Sequence, residues 1–143
     1  MLPFTTYSIP ETPENETASA GKWLVFLADQ EFSSAQRELI QKIGAAVKAD
    51  FERDTFSWSK ELNPNGTIQD LIHPSLQLVI SFGIEPRSLG LWIDLQSPGI
   101  RFLESFSFIL TLPVAELEKN AVAKKELWKN MQLFMEMNEN QHG

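Results

Sequence analysis

Two carboxylates, Asp29 and Glu31, stand one residue apart in Ala28-Asp29-Gln30-Glu31-Phe32, directly after the apolar run 22–28. Such a pair can divide the work of general acid and general base, and the carboxyl end of a strand is where open α/β sheets bind ligands. The same charges also suit a structural role, because they precede a helix whose N-terminal dipole favours anions. Elsewhere the chemistry is sparse. His73 and His142 are the only histidines and there is no cysteine, so thiolate nucleophiles, disulfides and Cys-ligated zinc are excluded and His-based triads have almost nothing to draw on. His73-Pro74-Ser75 reads as a surface turn. Ser33, Ser34 and Ser75 lack the strand-Gly-x-Ser-x-Gly-helix setting that presents a serine nucleophile. No Gly-x-Gly-x-x-Gly or phosphate loop offers backbone donors to a nucleotide, and no cofactor is expected.

The chain that must position these residues has 143 residues, 43% hydrophobic and 22% charged, with ten Phe and four Trp. That is enough apolar mass for one globular α/β domain without a metal or disulfide staple. Nineteen acids against twelve bases leave a net charge of −7, which repels a polyanion and argues against phosphate-backbone binding as the main activity. Residues 1–7 have neither the basic nor the apolar region of a secretory signal. No apolar run approaches the length of a bilayer span, so the expectation is a cytoplasmic protein without a membrane anchor.

Residues 1–20 carry three Pro, Glu11, Glu14 and Glu16, and no basic residue. The composition predicts a flexible N-terminal peptide or linker. Within it Leu2, Phe4, Tyr7 and Ile9 are apolar or aromatic and lie between prolines that favour extended backbone, a pattern suited to docking on a partner. Residues 21–143 form the domain. The run 22–28 and the run 76–82 have no polar face, as expected of strands buried on both sides of a mainly parallel sheet. Ser33 and Gln36 make a capping-box pair ahead of Ala35, Leu39, Ile43 and Val47, predicting a helix over 33–49 that covers the sheet. A strand is expected within 51–58, a short helix over 67–72, and a helical turn over 85–89. Further strands are expected at 91–93 and 106–111, with Ser97-Pro98-Gly99 as the turn between them. Pro113 opens a helical stretch, Asn120 caps a second one, and Leu127, Met131, Phe134 and Met135 form its apolar face. Met137 and Trp128 read as packing beside that face. The order of elements predicts a three-layer α/β/α fold with a short, mainly parallel central sheet, in which the 22–28 and 76–82 strands are parallel neighbours.

Two segments resemble the uracil-DNA glycosylase-like superfamily. Phe26-Leu27-Ala28-Asp29-Gln30-Glu31 stands where that superfamily carries Gly-[Gln/Glu]-x-Pro after its first strand. Phe108 to Val114, followed by Leu117, Asn120, Lys124 and Trp128, resembles its strand, His-Pro-Ser loop and Asn-Pro-x-x-Lys helix start. The resemblance places Asp29, Gln30, Glu31, Leu112 and Pro113 at former active-site positions. It also implies that catalysis is lost, because Leu112 stands where the base-stabilising histidine belongs, Val114 replaces the serine, and Ala28 and Glu31 replace the glycine and proline of the first loop. His73-Pro74-Ser75 spells the missing triplet on the wrong connection.

Within the same superfamily, Leu117, Asn120, Ala123, Lys124, Leu127 and Trp128 follow an order similar to that of the psi-subunit family of bacterial DNA polymerase III holoenzyme. That likeness implies a non-enzymatic adaptor whose N-terminal peptide, through Leu2, Phe4, Tyr7 and Ile9, docks on the clamp loader while the domain holds a chi-like subunit. The alternative is a glycosylase-like enzyme, or a small-molecule-binding α/β domain, working from the loop after the first strand.

Overall fold

The computed structural model describes residues 22–91, 93–95 and 98–142. Leu2, Phe4, Tyr7 and Ile9, expected from the sequence to dock on a partner, and the boundary near residue 20 lie outside the described residues. Five strands form the sheet: β1 (Leu24–Ala28), β2 (Thr55–Ser59), β3 (Leu78–Phe82), β4 (Gly99–Phe102) and β5 (Ser107–Thr111). Their spatial order is β2-β1-β3-β5-β4. The pairs β1/β2, β1/β3 and β3/β5 are parallel, and β4 runs antiparallel to β5 along one edge. Every residue of β1, β3 and β5 is buried, which is why their sequences read as continuous apolar runs.

Alternation along each strand divides the core in two. Leu24, Phe26, Leu78, Ile80, Phe82 and Ile109 face the helices, where Ile40, Ile43, Leu127, Met131 and Phe134 meet them. These come from α1 (Ser34–Ala46) and α4 (Ala121–His142). At the start of α1, the Ser33 hydroxyl accepts from Gln36 N at 3.2 Å and the Gln36 side chain accepts from Ser33 N at 3.0 Å, the reciprocal cap expected of this pair. The helix stops short of residue 49 because Lys48 takes φ 64°. There Lys48 N donates to Ala45 O and Ala49 N to Gly44 O, both at 2.9 Å, so a Schellman ending is built with lysine where glycine is usual. Asn120 caps α4, its side chain accepting from Ala123 N at 2.9 Å.

The opposite face buries Val25, Leu27, Val79, Phe108 and Leu110 beneath Leu71, Leu76, Ile84, Leu89, Leu95 and Phe106. Both faces are covered, but among the described residues this second cover is made of loops and two single 3₁₀ turns, Ile68–Asp70 and Pro86–Leu89. The helix expected over 67–72 is reduced to the first of them. Thr67 and Asp70 close it on themselves, Asp70 N donating to Thr67 O at 3.1 Å and Thr67 N to the Asp70 carboxylate at 3.0 Å.

Other expectations also change. The segment 51–58 divides into a one-turn helix α2 (Phe51–Asp54) and β2, because Asp50 accepts from Glu52 N and Arg53 N at 3.1 and 2.9 Å and starts a turn. Leu91 and Ile93 are not in a strand; both neighbours of β3 are already taken, and these side chains instead pack on the loop-covered core. The slot beside β5 goes to β4, which begins at Gly99, a residue expected in a turn. The helical stretch after Pro113 is α3 (Val114–Leu117).

Candidate functional site

In the sheet register Ala28, Phe82 and Thr111 lie side by side. The loops that follow β1, β3 and β5 therefore leave the same carboxyl edge, and the residues singled out from the sequence share it. Asp29, Gln30 and Glu31 are exposed there. Their loop is tied to the one after β2, since Ala28 O and Asp29 O accept from Lys60 N and Glu61 N, each at 2.9 Å. Phe32 turns inward and meets Phe82 edge-on, with ring centroids 5.8 Å apart.

Leu112 and Pro113 are on that edge but two strands away, roughly 10 Å at ordinary strand spacing. Leu112 packs against the helical core. Pro113 is pressed on Gly83: a Cβ at Gly83 would stand 2.7 Å from Pro113 Cγ, and Gly83 holds φ 89°. The edge thus brings Asp29–Glu31 and Leu112–Pro113 into one row without joining them in a common pocket. Thr111 Oγ1 beside them is buried without a hydrogen-bond partner.

The space near Asp29 opens the other way. A cleft of about 720 Å³ runs along β2 and is lined by Gln30, Glu31, Phe32 and Arg37 on one side and by Asn63, Gln69, Asp70 and His73 on the other. His73 is not the plain surface residue expected from its turn. It is partly buried, Ser75 N donates to its Nδ1 at 3.2 Å, and its buried Nε2 has no partner. With Nδ1 accepting, the neutral ring carries its proton on Nε2. Burial holds its pKa below the ordinary 6.5, so the neutral ring is its resting form at neutral pH. The cleft therefore offers a neutral imidazole, amides and separate charges. Among the described residues no group of three or more His, Asp or Glu is placed to hold a metal.

A second depression has a different character. Between α1 and α4 lies an apolar groove of about 340 Å³, with Leu39, Ile43, Leu117 and Leu127 as its floor and Lys124, Lys125 and Lys129 on its rim. Trp128 forms one wall and is 47% exposed, so it is not the packing residue its sequence context suggests. Met137 is likewise exposed, as are Val122 and Leu133 on the same helix. The sequence carried a signal for this groove in Lys124-Lys125-Glu126-Leu127-Trp128-Lys129: Trp128 is displaced by one position, about 100°, from the buried stripe and is surrounded by cations.

No known protein-family pattern matches the chain, and no curated protein matches it in sequence. Among the described residues no helix is long and apolar enough to cross a membrane.

Proposed function

We propose that this chain is a non-catalytic adaptor of the replication machinery, similar in role to the psi-subunit family, with the α4 surface as one contact and residues 2–9 as the other. The observation that carries the reading is the α1/α4 groove. An exposed tryptophan over an apolar floor with a charged rim is the composition of a protein-binding hot spot, and no His, Asp or Glu lines it. The loss of catalytic chemistry agrees with this. Leu112 has no group that could donate to a departing base, and the net charge of −7 gives no attraction toward DNA. Residues 2–9 add a tethered second contact, which raises avidity by making the second engagement intramolecular.

The test is size-exclusion chromatography of the purified full chain with purified clamp-loader and chi-like subunits. Co-elution is expected, and Trp128→Ala and Phe4→Ala each weaken it by roughly tenfold or more, the loss typical of a hot-spot aromatic. An unaltered elution profile for every subunit overturns the reading.

The β2 cleft favours a second reading, a small-molecule or base-releasing site that uses the loop after β1. Incubation with uracil-containing single-stranded DNA is expected to release no uracil. Release above the protein-free control, abolished by Asp29→Ala or Gln30→Ala, would replace the adaptor with an enzyme.

A further inference from the structure

The α1/α4 groove has a candidate occupant within the chain itself. We propose that residues 2–9 dock in this groove of their own molecule, with Leu2, Phe4, Tyr7 and Ile9 on its apolar floor and Glu11, Glu14 and Glu16 drawn to Lys124, Lys125 and Lys129. This goes beyond the adaptor reading and does not depend on it.

Three observations converge. The first is chemical fit: the groove is apolar with a lysine rim and no acidic lining residue, while residues 1–20 combine Leu2, Phe4, Tyr7 and Ile9 with three glutamates and no base. In a chain that is acidic overall, three neighbouring lysines around an exposed tryptophan are the natural seat for such a segment.

The second is the direction from which the segment arrives. Trp23 stacks on Phe134 of α4 with ring centroids 6.3 Å apart and planes 11° apart, so the chain enters the sheet against the helix that forms the groove. Trp128 lies six residues back along α4 from Phe134, about 9 Å at the helical rise.

The third is reach. Residues 10–21 span up to roughly 40 Å when extended, well beyond the roughly 9 Å rise along α4 that separates Phe134 from Trp128. The glutamates fall within this connector, so they pass along α4 toward Lys129 when the apolar residues occupy the floor.

The consequence is a coupling between the two proposed contacts. While the segment occupies the groove, Trp128 is covered and Leu2, Phe4, Tyr7 and Ile9 are withheld. A partner that takes the segment uncovers the groove for a second partner. A tether this short makes the segment a strong local competitor, at an effective concentration on the order of millimolar.

The natural chain has no cysteine, which permits a clean cross-linking test in the full chain. Phe4→Cys is combined with Gln132→Cys at the groove, or with Ser88→Cys in the exposed turn over the opposite face. Under mild oxidation of dilute monomer, the disulfide to position 132 is expected to form at least about tenfold faster than that to position 88, reflecting a docked rather than a freely searching tether. Lys124→Glu, Lys125→Glu and Lys129→Glu together are expected to remove that preference. Leu2→Asp with Tyr7→Asp does the same from the segment's side and leaves the folded body unaltered if the lysine changes impair folding. Equal rates at 132 and 88 overturn the proposal, as does a preference that survives Leu2→Asp with Tyr7→Asp. Covalent dimers in place of intramolecular links also overturn it and assign the groove to a second copy. Because no replication subunit is present, each outcome leaves the adaptor reading to its own test.

Discussion

The two faces of one sheet are covered by different means. On one, α1 and α4 lay continuous apolar stripes over Phe26, Ile80 and Phe82; on the other, single side chains such as Leu71, Leu76 and Leu89 reach down from loops and 3₁₀ turns. Helix side chains are held by neighbours on both adjacent turns, so their positions are rigid. A loop residue is held by its own contacts and a few turn hydrogen bonds. The two depressions follow this division. The apolar groove lies between the rigid helices, and the polar cleft lies where the loop 60–77 wraps the edge strand β2. The apolar depression and the polar one thus sit on opposite kinds of cover.

The sharpest break of this comparison is a pair of core truncations followed by urea denaturation. Phe26→Ala under the helices is expected to cost about 3–5 kcal/mol, and Leu71→Ala under the loop about 2–3, because a loop can settle into the cavity it leaves. Equal losses would mean that the loop is as rigid as the helices. Gly83→Ala comes next. It forces an L residue into φ 89° and onto Pro113, at a cost of about 2–3 kcal/mol in the same assay. A neutral result would mean that the β3 and β5 exits can move apart.

A second pair sharpens the contrast at smaller scale. Ser33→Ala removes the α1 capping box and is expected to lower stability by about 1 kcal/mol at any pH near neutral. His73→Gln acts through pH instead. The folded-state pKa of His73 is lowered from 6.5, so the unfolded chain binds its proton at higher pH than the folded chain does. The stabilisation is complete above about pH 6.5 and is lost as pH falls through the folded value. Melting temperatures of the wild type should therefore decline on the acid side of 6.5 more steeply than those of His73→Gln. Parallel curves would place His73 in solvent. The smallest effect is expected at Lys48→Gly, a gain of up to about 1 kcal/mol from relief of φ 64°, at the helix end where glycine is the usual residue.

Much of the helical face was legible in the sequence. Ser33 with Gln36, the four-residue steps from Ala35 to Val47 and the stripe Leu127, Met131, Phe134 are local patterns, and local hydrogen bonds and side-chain spacing realise them directly. The loop-covered face was not. Residues 67–72 and 91–93 have the composition of a helix and a strand, yet the Thr67–Asp70 bonds close the first after a single turn, and Leu91 and Ile93 of the second pack down on the loop-covered core instead of pairing. Of the site residues, Asp29, Gln30 and Glu31 were placed correctly at the end of β1. Their separation from Leu112 and Pro113, and the inclusion of His73 beside them in the β2 cleft, depend on segments far apart in the chain.

The sequence by itself determined the elements whose cause is periodic or adjacent: two strands buried on both sides, a capped covering helix, a long final helix and the absence of thiol chemistry. Only the tertiary structure decided what those elements leave open. Whether Trp128 is core or surface depends on how far α1 stands from α4, and whether His73 is wet or buried depends on where the loop after β2 crosses β1. Periodicity tells which side of an element is apolar; it holds no information on the width of the gap that two such sides leave between them, and in this chain that gap is the apolar groove between α1 and α4.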